Sequence, residues 1–281
     1  MPPGGAAHEG VPFNLAELGA GDGRKSAILL RHFVNTNRRF AYTSIDISAG
    51  ALRSQAARLR APSAGIDLSP TSPLHRVTLM AADNVQGIRK LTSDAKARVR
   101  GQPEASPERL LVMFLGSSIG NFDDAQIAHF LADVWMAMSA GDLIMVGFDL
   151  RKPPATIAHA YNDTSGVTAE FNVNMLRRIN TELGANFDLE AFQFHSWYDS
   201  VTGDVRSTLV STRDQTVFVA ALGREFHFDA WEAVDTEISR KFTLRQIEAY
   251  AARIGFEVVR HLMDEDGWFV DSLWRVVKTA A

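Results

Sequence analysis

The stretch Leu15-Ala16-Glu17-Leu18-Gly19-Ala20-Gly21-Asp22-Gly23 decides the fold. A short apolar run over residues 13–18 predicts a strand, which meets an acidic residue and then three glycines at alternate positions. Glycine has no Cβ and tolerates φ > 0, so such a loop lets a nucleotide-like ligand come close to the backbone. The spacing differs from the dinucleotide pattern G-x-G-x-x-G, whose third glycine falls one residue later. An ordinary strand-to-helix turn also uses glycine, and the rest of the chain separates the two readings.

Outward from this loop, strand and helix signals alternate. Helices are expected over residues 25–33, 49–59 and 123–138, and strands over 40–46, 76–81, 110–115 and 143–148. Residues 62–73 form a Ser/Pro/Gly-rich loop, and 93–107 a helix end followed by a polar loop. The stripe Ile127, Phe130, Leu131, Val134 and Met138 has helical spacing and belongs to the core. Five strands alternating with helices predict a parallel, doubly wound sheet. After Arg151 the pattern changes. Helices over 155–161 and 172–183 precede β-like stretches at 190–198, 205–211, 216–221, 225–228 and 234–238. Short turns such as Thr202-Gly203-Asp204 join them, which predicts one antiparallel sheet. A helix over 243–254 and a hairpin of strands at 256–261 and 268–277 end the chain. The expected division is one domain of residues 1–152 and 242–281, interrupted by an α+β domain of residues 153–241.

Composition narrows the chemistry. The 281 residues allow one large or two modest domains. A net charge of −4 without a long basic block speaks against nucleic acid as partner, since phosphate binding needs clustered Lys/Arg. The absence of cysteine excludes disulfides, thiolate metal sites and cysteine nucleophiles. No run of about 18 apolar residues suggests a membrane span. Residues 1–10 are Pro/Gly/Ala-rich without a signal-peptide core, which reads as a short disordered lead on a cytoplasmic protein. The expected ligands are small molecules, no metal is called for, and the chain is read as a monomer or weak oligomer. None of the eight histidines falls in a recognised motif.

The form E-x-G-x-G-x-G resembles the first motif of class I S-adenosylmethionine (SAM) methyltransferases, whose sheets also finish in an antiparallel hairpin. Dehydrogenase sheets usually stay parallel, so hairpin and glycine spacing together disfavour a nicotinamide enzyme. The resemblance implies a Rossmann-like α/β fold with SAM as cofactor. Asp46, after the second strand, would accept the ribose hydroxyls, as ligands sit at strand ends in open sheets. Asp83 and Asn84 would meet the adenine, while Glu17 and the backbone of Gly19, Gly21 and Gly23 would face the methionine end. Each of these residue types also favours turns and helix caps on its own account.

The segment from Gly116 to Asn121, Gly-Ser-Ser-Ile-Gly-Asn, follows the fourth strand. With Ala160-Tyr161-Asn162-Asp163, Gly166-Val167-Thr168-Ala169, Phe171-Asn172-Val173-Asn174, residues 180–188 and Thr236-Glu237-Ile238-Ser239-Arg240-Lys241-Phe242, it resembles the histidine-specific Nα-methyltransferases. These make trimethylhistidine on the route to ergothioneine. The likeness runs from about residue 14 to the C-terminus, and its later motifs are the more specific. It implies that Asn121 and Tyr161 bind the substrate carboxylate, that Glu237 and Ser239 bind the imidazole, and that Gly116 and Ser118 line the α-amine. The chemistry fits those types. An amide and a phenol donate to a carboxylate, while a neutral imidazole offers one N–H to Glu237 and one lone pair to Ser239. A site of such pairs rejects analogues that leave its polar groups unpaired. Taken without the family, Tyr161 reads as a core tyrosine and Glu237 as a solvated strand residue.

The implied reaction is an in-line displacement in which a neutral amine attacks the sulfonium methyl, with nucleophile and methyl held about 3 Å apart. It needs no metal and no covalent intermediate, and no residue is assigned as base. Three departures from the family stand out. Family members carry a long segment before the glycine loop that donates tyrosines to the site, whereas only residues 1–14 precede Leu15 here. That predicts a more open pocket. Ser207 stands where the family places a methionine against the substrate, which predicts a larger side-chain pocket. Asp22-Gly23-Arg24-Lys25 replaces a Ser/Thr-rich form. Two other functions remain open at this point: methylation of a tryptophan-type amino acid, and SAM binding without turnover.

Overall fold

The computed structural model of the protein describes residues 12–21, 23–101 and 109–278. The amino-terminal lead, Asp22 and part of the expected polar loop lie outside these residues. In chain order the elements are β1 (Phe13–Leu18), α1 (Arg24–Asn35), β2 (Phe40–Asp46), α2 (Ala49–Arg60), β3 (Leu74–Ala81), α3 (Asn84–Gly101), β4 (Arg109–Phe114), α4 (Asp124–Ala137) and β5 (Leu143–Asp149). Next come α5 (Pro154–Tyr161), α6 (Val167–Leu183), β6 (Phe192–Tyr198), β7 (Asp204–Ser211), β8 (Gln215–Val219), β9 (Arg224–Phe228) and β10 (Ala233–Arg240). The last are α7 (Leu244–Ile254), β11 (Phe256–Met263) and β12 (Phe269–Val276). The chain forms two compact units. The first holds residues 1–118, 124–148 and 245–281, and the second holds 119–123 and 149–244.

The first unit is built on a seven-stranded sheet in the order β11-β12-β5-β4-β1-β2-β3. β1 runs parallel to both β2 and β4, and β4 runs parallel to β5. β11 and β12 pair antiparallel, so the sheet ends in the expected hairpin. This is the class I methyltransferase arrangement. Strand order reverses between β1 and β4, and the carboxyl ends there form the crevice in which open α/β sheets bind ligands. The apolar character of β1 and β2 follows from burial on both faces: Leu15, Ala16, Phe40, Tyr42 and Ile45 are all inaccessible or nearly so. Leu30 of α1, Leu59 of α2 and Met113 of β4 close over Leu15 and Phe40.

The second unit differs from expectation in its sheets as well as its bounds. Its strands form two sheets: a three-stranded sheet in the order β10-β7-β6 and a separate β8-β9 hairpin. β7 pairs antiparallel with β6 on one edge and β10 on the other, which leaves no edge for β8. Ser211 N donates to Glu232 O at 2.8 Å and Trp231 N to Ser211 O at 2.7 Å, so the chain re-enters the sheet directly beside the end of β7. The residues between loop out as the hairpin. Leu176 of α6, Phe192 of β6 and Leu209 of β7 form this unit's core.

Candidate active site

In the first unit, Gly19, Gly21 and Gly23 all lie at positive φ, +63°, +57° and +73°. Here glycine is required, since L residues adopt this region at a cost. A Cβ added at Gly19 or Gly21 would meet nothing within 4 Å, so the space before these two residues is open. Gly23 is different: a Cβ there would lie 2.6 Å from Gln55 Cγ, so it is also fixed by packing. Gly19 N donates to Ile45 O at 2.9 Å and sets the loop beside the end of β2. Glu17 lies beneath the loop at 4% exposure. Its Oε2 accepts from Ser26 Oγ and, at 2.6 Å, from the Tyr42 hydroxyl, which itself accepts from Gln55 Nε2 at 2.8 Å. Burial first, and then the Glu17 carboxylate, push the Tyr42 phenol far above its ordinary value. Glu17 is thus tied into the base of the loop.

Asp46 ends β2 half-buried, and its Oδ1 accepts from Ser48 N at 2.8 Å. Asp83 is exposed beyond β3 and caps α3, accepting from Val85 N at 2.9 Å, with Asn84 half-buried next to it. After β4, Gly116 has φ +84° and a Cβ added there would lie 2.7 Å from Lys25 Nζ, while Ser118 is exposed. A Cβ at Gly147 would lie 3.0 Å from Gly116 N and 3.1 Å from Asp271 Oδ1. That Asp271 oxygen is buried and has no hydrogen-bond partner among the described residues. Burial raises the Asp271 carboxyl above its usual range, and the Lys25 ammonium acts in the opposite sense.

In the second unit, Glu237 and Ser239 are two residues apart on β10 and therefore share a face. Ser207 of β7 lies directly opposite Glu237 and is 2% exposed. Glu237 lines a cavity of about 490 Å³ with Thr236 and the α6 residues Phe171, Asn172 and Met175. A β-bulge between Asp235 and Glu237 lets the Thr236 hydroxyl reach Asn172 Oδ1 at 2.6 Å and Ser207 O at 3.0 Å. Tyr161, at the end of α5, is 2.8 Å from Ser239 Oγ through its hydroxyl. Lys241 donates to both, at 2.7 Å to Tyr161 and 2.8 Å to Ser239, and pairs with Asp149 Oδ2 at 2.8 Å. The other Asp149 oxygen pairs with Lys152. Gly120 lies against β10: a Cβ there would be 2.8 Å from Arg240 O. Asn121, the next residue, therefore enters beside the strand that carries Glu237 and Ser239.

A sequence model described as "Histidine-specific methyltransferase, SAM-dependent" matches residues 6–276. The chain belongs to this family. It is 34% identical to the histidine N-alpha-methyltransferase of Mycolicibacterium smegmatis over 259 residues, which covers 92% of this chain and 74% of that protein. The corresponding protein of Mycobacterium tuberculosis is 32% identical over the same coverage. Ergothioneine biosynthesis protein 1 of Schizosaccharomyces pombe is 26% identical, but the match covers 87% of this chain and only 31% of that longer protein. The chain is thus a SAM-dependent methyltransferase.

The open space at Gly19 and Gly21 admits a ligand against the backbone. The orphaned Asp271 oxygen and the exposed Lys25 ammonium both lie beside the Gly116 segment. Sequence reasoning missed Asp271, because it sits mid-strand in β12, far along the chain from the glycine loop. Lys25 was visible as part of the loop's departure from family form, but its proximity to Gly116 is a property of the fold. Lys241 and Asp149 were missed as well. A lysine in a strand-end motif reads as a solvated residue, whereas Lys241 is 1% exposed.

Proposed function

We propose that this chain transfers methyl groups from SAM to the α-amino group of L-histidine, with trimethylhistidine as product. In this reading the first unit binds the cofactor, through Gly19, Gly21, Gly23, Asp46, Asp83 and Asn84, with Lys25 and Asp271 at the methionine end. The second unit binds the amino acid: Asn121 and Tyr161 hold the carboxylate, Glu237 accepts the imidazole N–H and Ser239 donates to its lone pair. Gly116 and Ser118 line the amine. When bound, SAM supplies a methyl group on a positively charged sulfur. The chain's own part is to hold the amine in place by its carboxylate and ring and to keep the ring's polar atoms paired. The reading carries a small-molecule substrate, a monomeric or weakly oligomeric chain, and a cytoplasmic setting. Among the described residues no helix is long and apolar enough to cross a membrane.

One observation carries the substrate assignment: Tyr161, Glu237 and Ser239 fall in one compact unit, with Glu237 and Ser239 on one strand face and Tyr161 bonded to Ser239. Incubation of the protein with SAM and each common amino acid, read by product mass, tests it. Histidine is expected to gain up to three methyls and the others none. Methylation of tryptophan with histidine untouched would replace the reading.

A further inference from the structure

Lys241 is the one buried ammonium in the second unit's candidate site, and its three N–H groups have three acceptors: Tyr161 Oη, Ser239 Oγ and Asp149 Oδ2. An ammonium donates only, so Tyr161 and Ser239 must each accept from it. The two hydroxyls also share one hydrogen bond with each other, in either direction. Between them they carry two protons, one used in that bond and one left to point outward. Whichever way the shared bond runs, one hydroxyl proton is left to face a ligand.

We propose that Lys241 is a positioning residue that fixes the Tyr161–Ser239 pair as donors toward the substrate. The proposal rests on the histidine reading above and adds the origin of its polarity. With both oxygens already accepting from Lys241, an arriving acceptor can draw out both hydroxyl protons by replacing the single Tyr161–Ser239 bond with two outward ones. A carboxylate oxygen and an unprotonated imidazole nitrogen are acceptors of the required kind. Asp149, paired with Lys241 and Lys152, holds the ammonium in place and supplies its counter-charge. Lys241 Nζ also lies 4.7 Å from the centroid of the Tyr161 ring.

The test measures amino-acid and SAM affinity by calorimetry on the full chain, using the twenty common amino acids in turn. In Lys241→Met, affinity for the bound amino acid is expected to fall about tenfold or more, with SAM affinity near wild type. Lys241→Arg, which keeps charge and donors, should recover most of the loss. A structural role alone would not give the next readout. Tyr161→Phe is expected to weaken amino-acid binding about tenfold in the wild-type background and much less in the Lys241→Met background. Should Lys241→Met unfold, Lys241→Gln, which gives up the charge but keeps a polar side chain, carries the same cycle. Additive losses in the cycle, or unchanged affinity in both Lys241 variants, overturn the proposal. If the wild-type protein prefers a different amino acid, the histidine reading fails while Lys241 is still judged on that ligand. If it binds none of them, both fail.

Discussion

The two units present ligands in different materials. In the first, the candidate cofactor surface is largely backbone: three glycines at positive φ after β1, another after β4, and few side chains. In the second, it is made of side chains held by buried ion pairs, with Lys241 on Asp149 and Arg240 on Asp204 at 2.7 Å. Backbone surfaces depend on conformation and space, so they fail when a Cβ intrudes and tolerate change in neighbouring side chains. Side-chain surfaces depend on pairing, so they fail when one partner is removed. Shared recognition of a common cofactor suits the first material, and discrimination among amino acids suits the second.

That contrast can be broken by substitution. The largest effect is expected for Asp204→Ala, since Asp204 is 2% and Arg240 12% exposed, and its loss takes away the carboxylate that pairs with the Arg240 guanidinium. Removing one member of a buried pair costs about 3–5 kcal/mol. Urea unfolding should show this loss, and histidine binding should suffer more than SAM binding; equal losses would mean that the units do not differ in this way. Glu237→Ala should weaken histidine binding by about 1–3 kcal/mol through a lost charge-assisted hydrogen bond, with SAM affinity unchanged in parallel titrations. Gly21→Val reverses the pattern. A β-branched residue at φ +57° is strained by about 1–3 kcal/mol, and its side chain enters the open space, so SAM affinity should fall first. Preserved SAM binding in that variant would contradict a backbone-made surface.

The smallest effect sharpens the comparison at Asp271, where a side chain does enter the backbone-made half. Its folded-state carboxyl is raised by burial, so the stability it contributes is present below the unfolded carboxylate range and lost as pH rises through the raised value. Asp271→Asn is therefore expected to raise the melting temperature modestly at neutral pH, with the gain vanishing toward acid, while SAM binding weakens. A gain that persists at low pH, followed by calorimetry across pH, would remove burial of the charge as its cause.

Much of this was legible in the chain. Apolar runs marked β1, β2, β4 and β5 because both faces of those strands are covered. The hairpin of β11 and β12 followed from two successive strand-like runs at residues 256–261 and 268–277. What escaped was non-local. Only a helix end was expected at residues 93–107, whereas α3 runs from Asn84 to Gly101. Gly87 is there because a Cβ would lie 2.7 Å from Ile45, so the helix needs glycine to pack on β2. α6 begins at Val167, earlier than the pattern indicated, because the Asp163 carboxylate accepts from Val167 N and Thr168 N at 2.9 Å. Those bonds, and the Ser165 hydroxyl above all, hold the Asp163 carboxyl well below its usual range. At the site, residue types within motifs were readable, but the Lys241–Tyr161–Ser239 triangle was not, since Tyr161 is 80 positions from Lys241.

Residues 119–123 lie in sequence between β4 and α4, yet they belong to the second unit, where Gly120 sits against the Arg240 carbonyl. The inserted module is therefore not a clean cassette. Transplanting 149–244 into another methyltransferase scaffold would leave behind the pentapeptide bearing Asn121. A chimaera that hopes to inherit this amino-acid preference has to carry both pieces, joined through the recipient's own fourth strand.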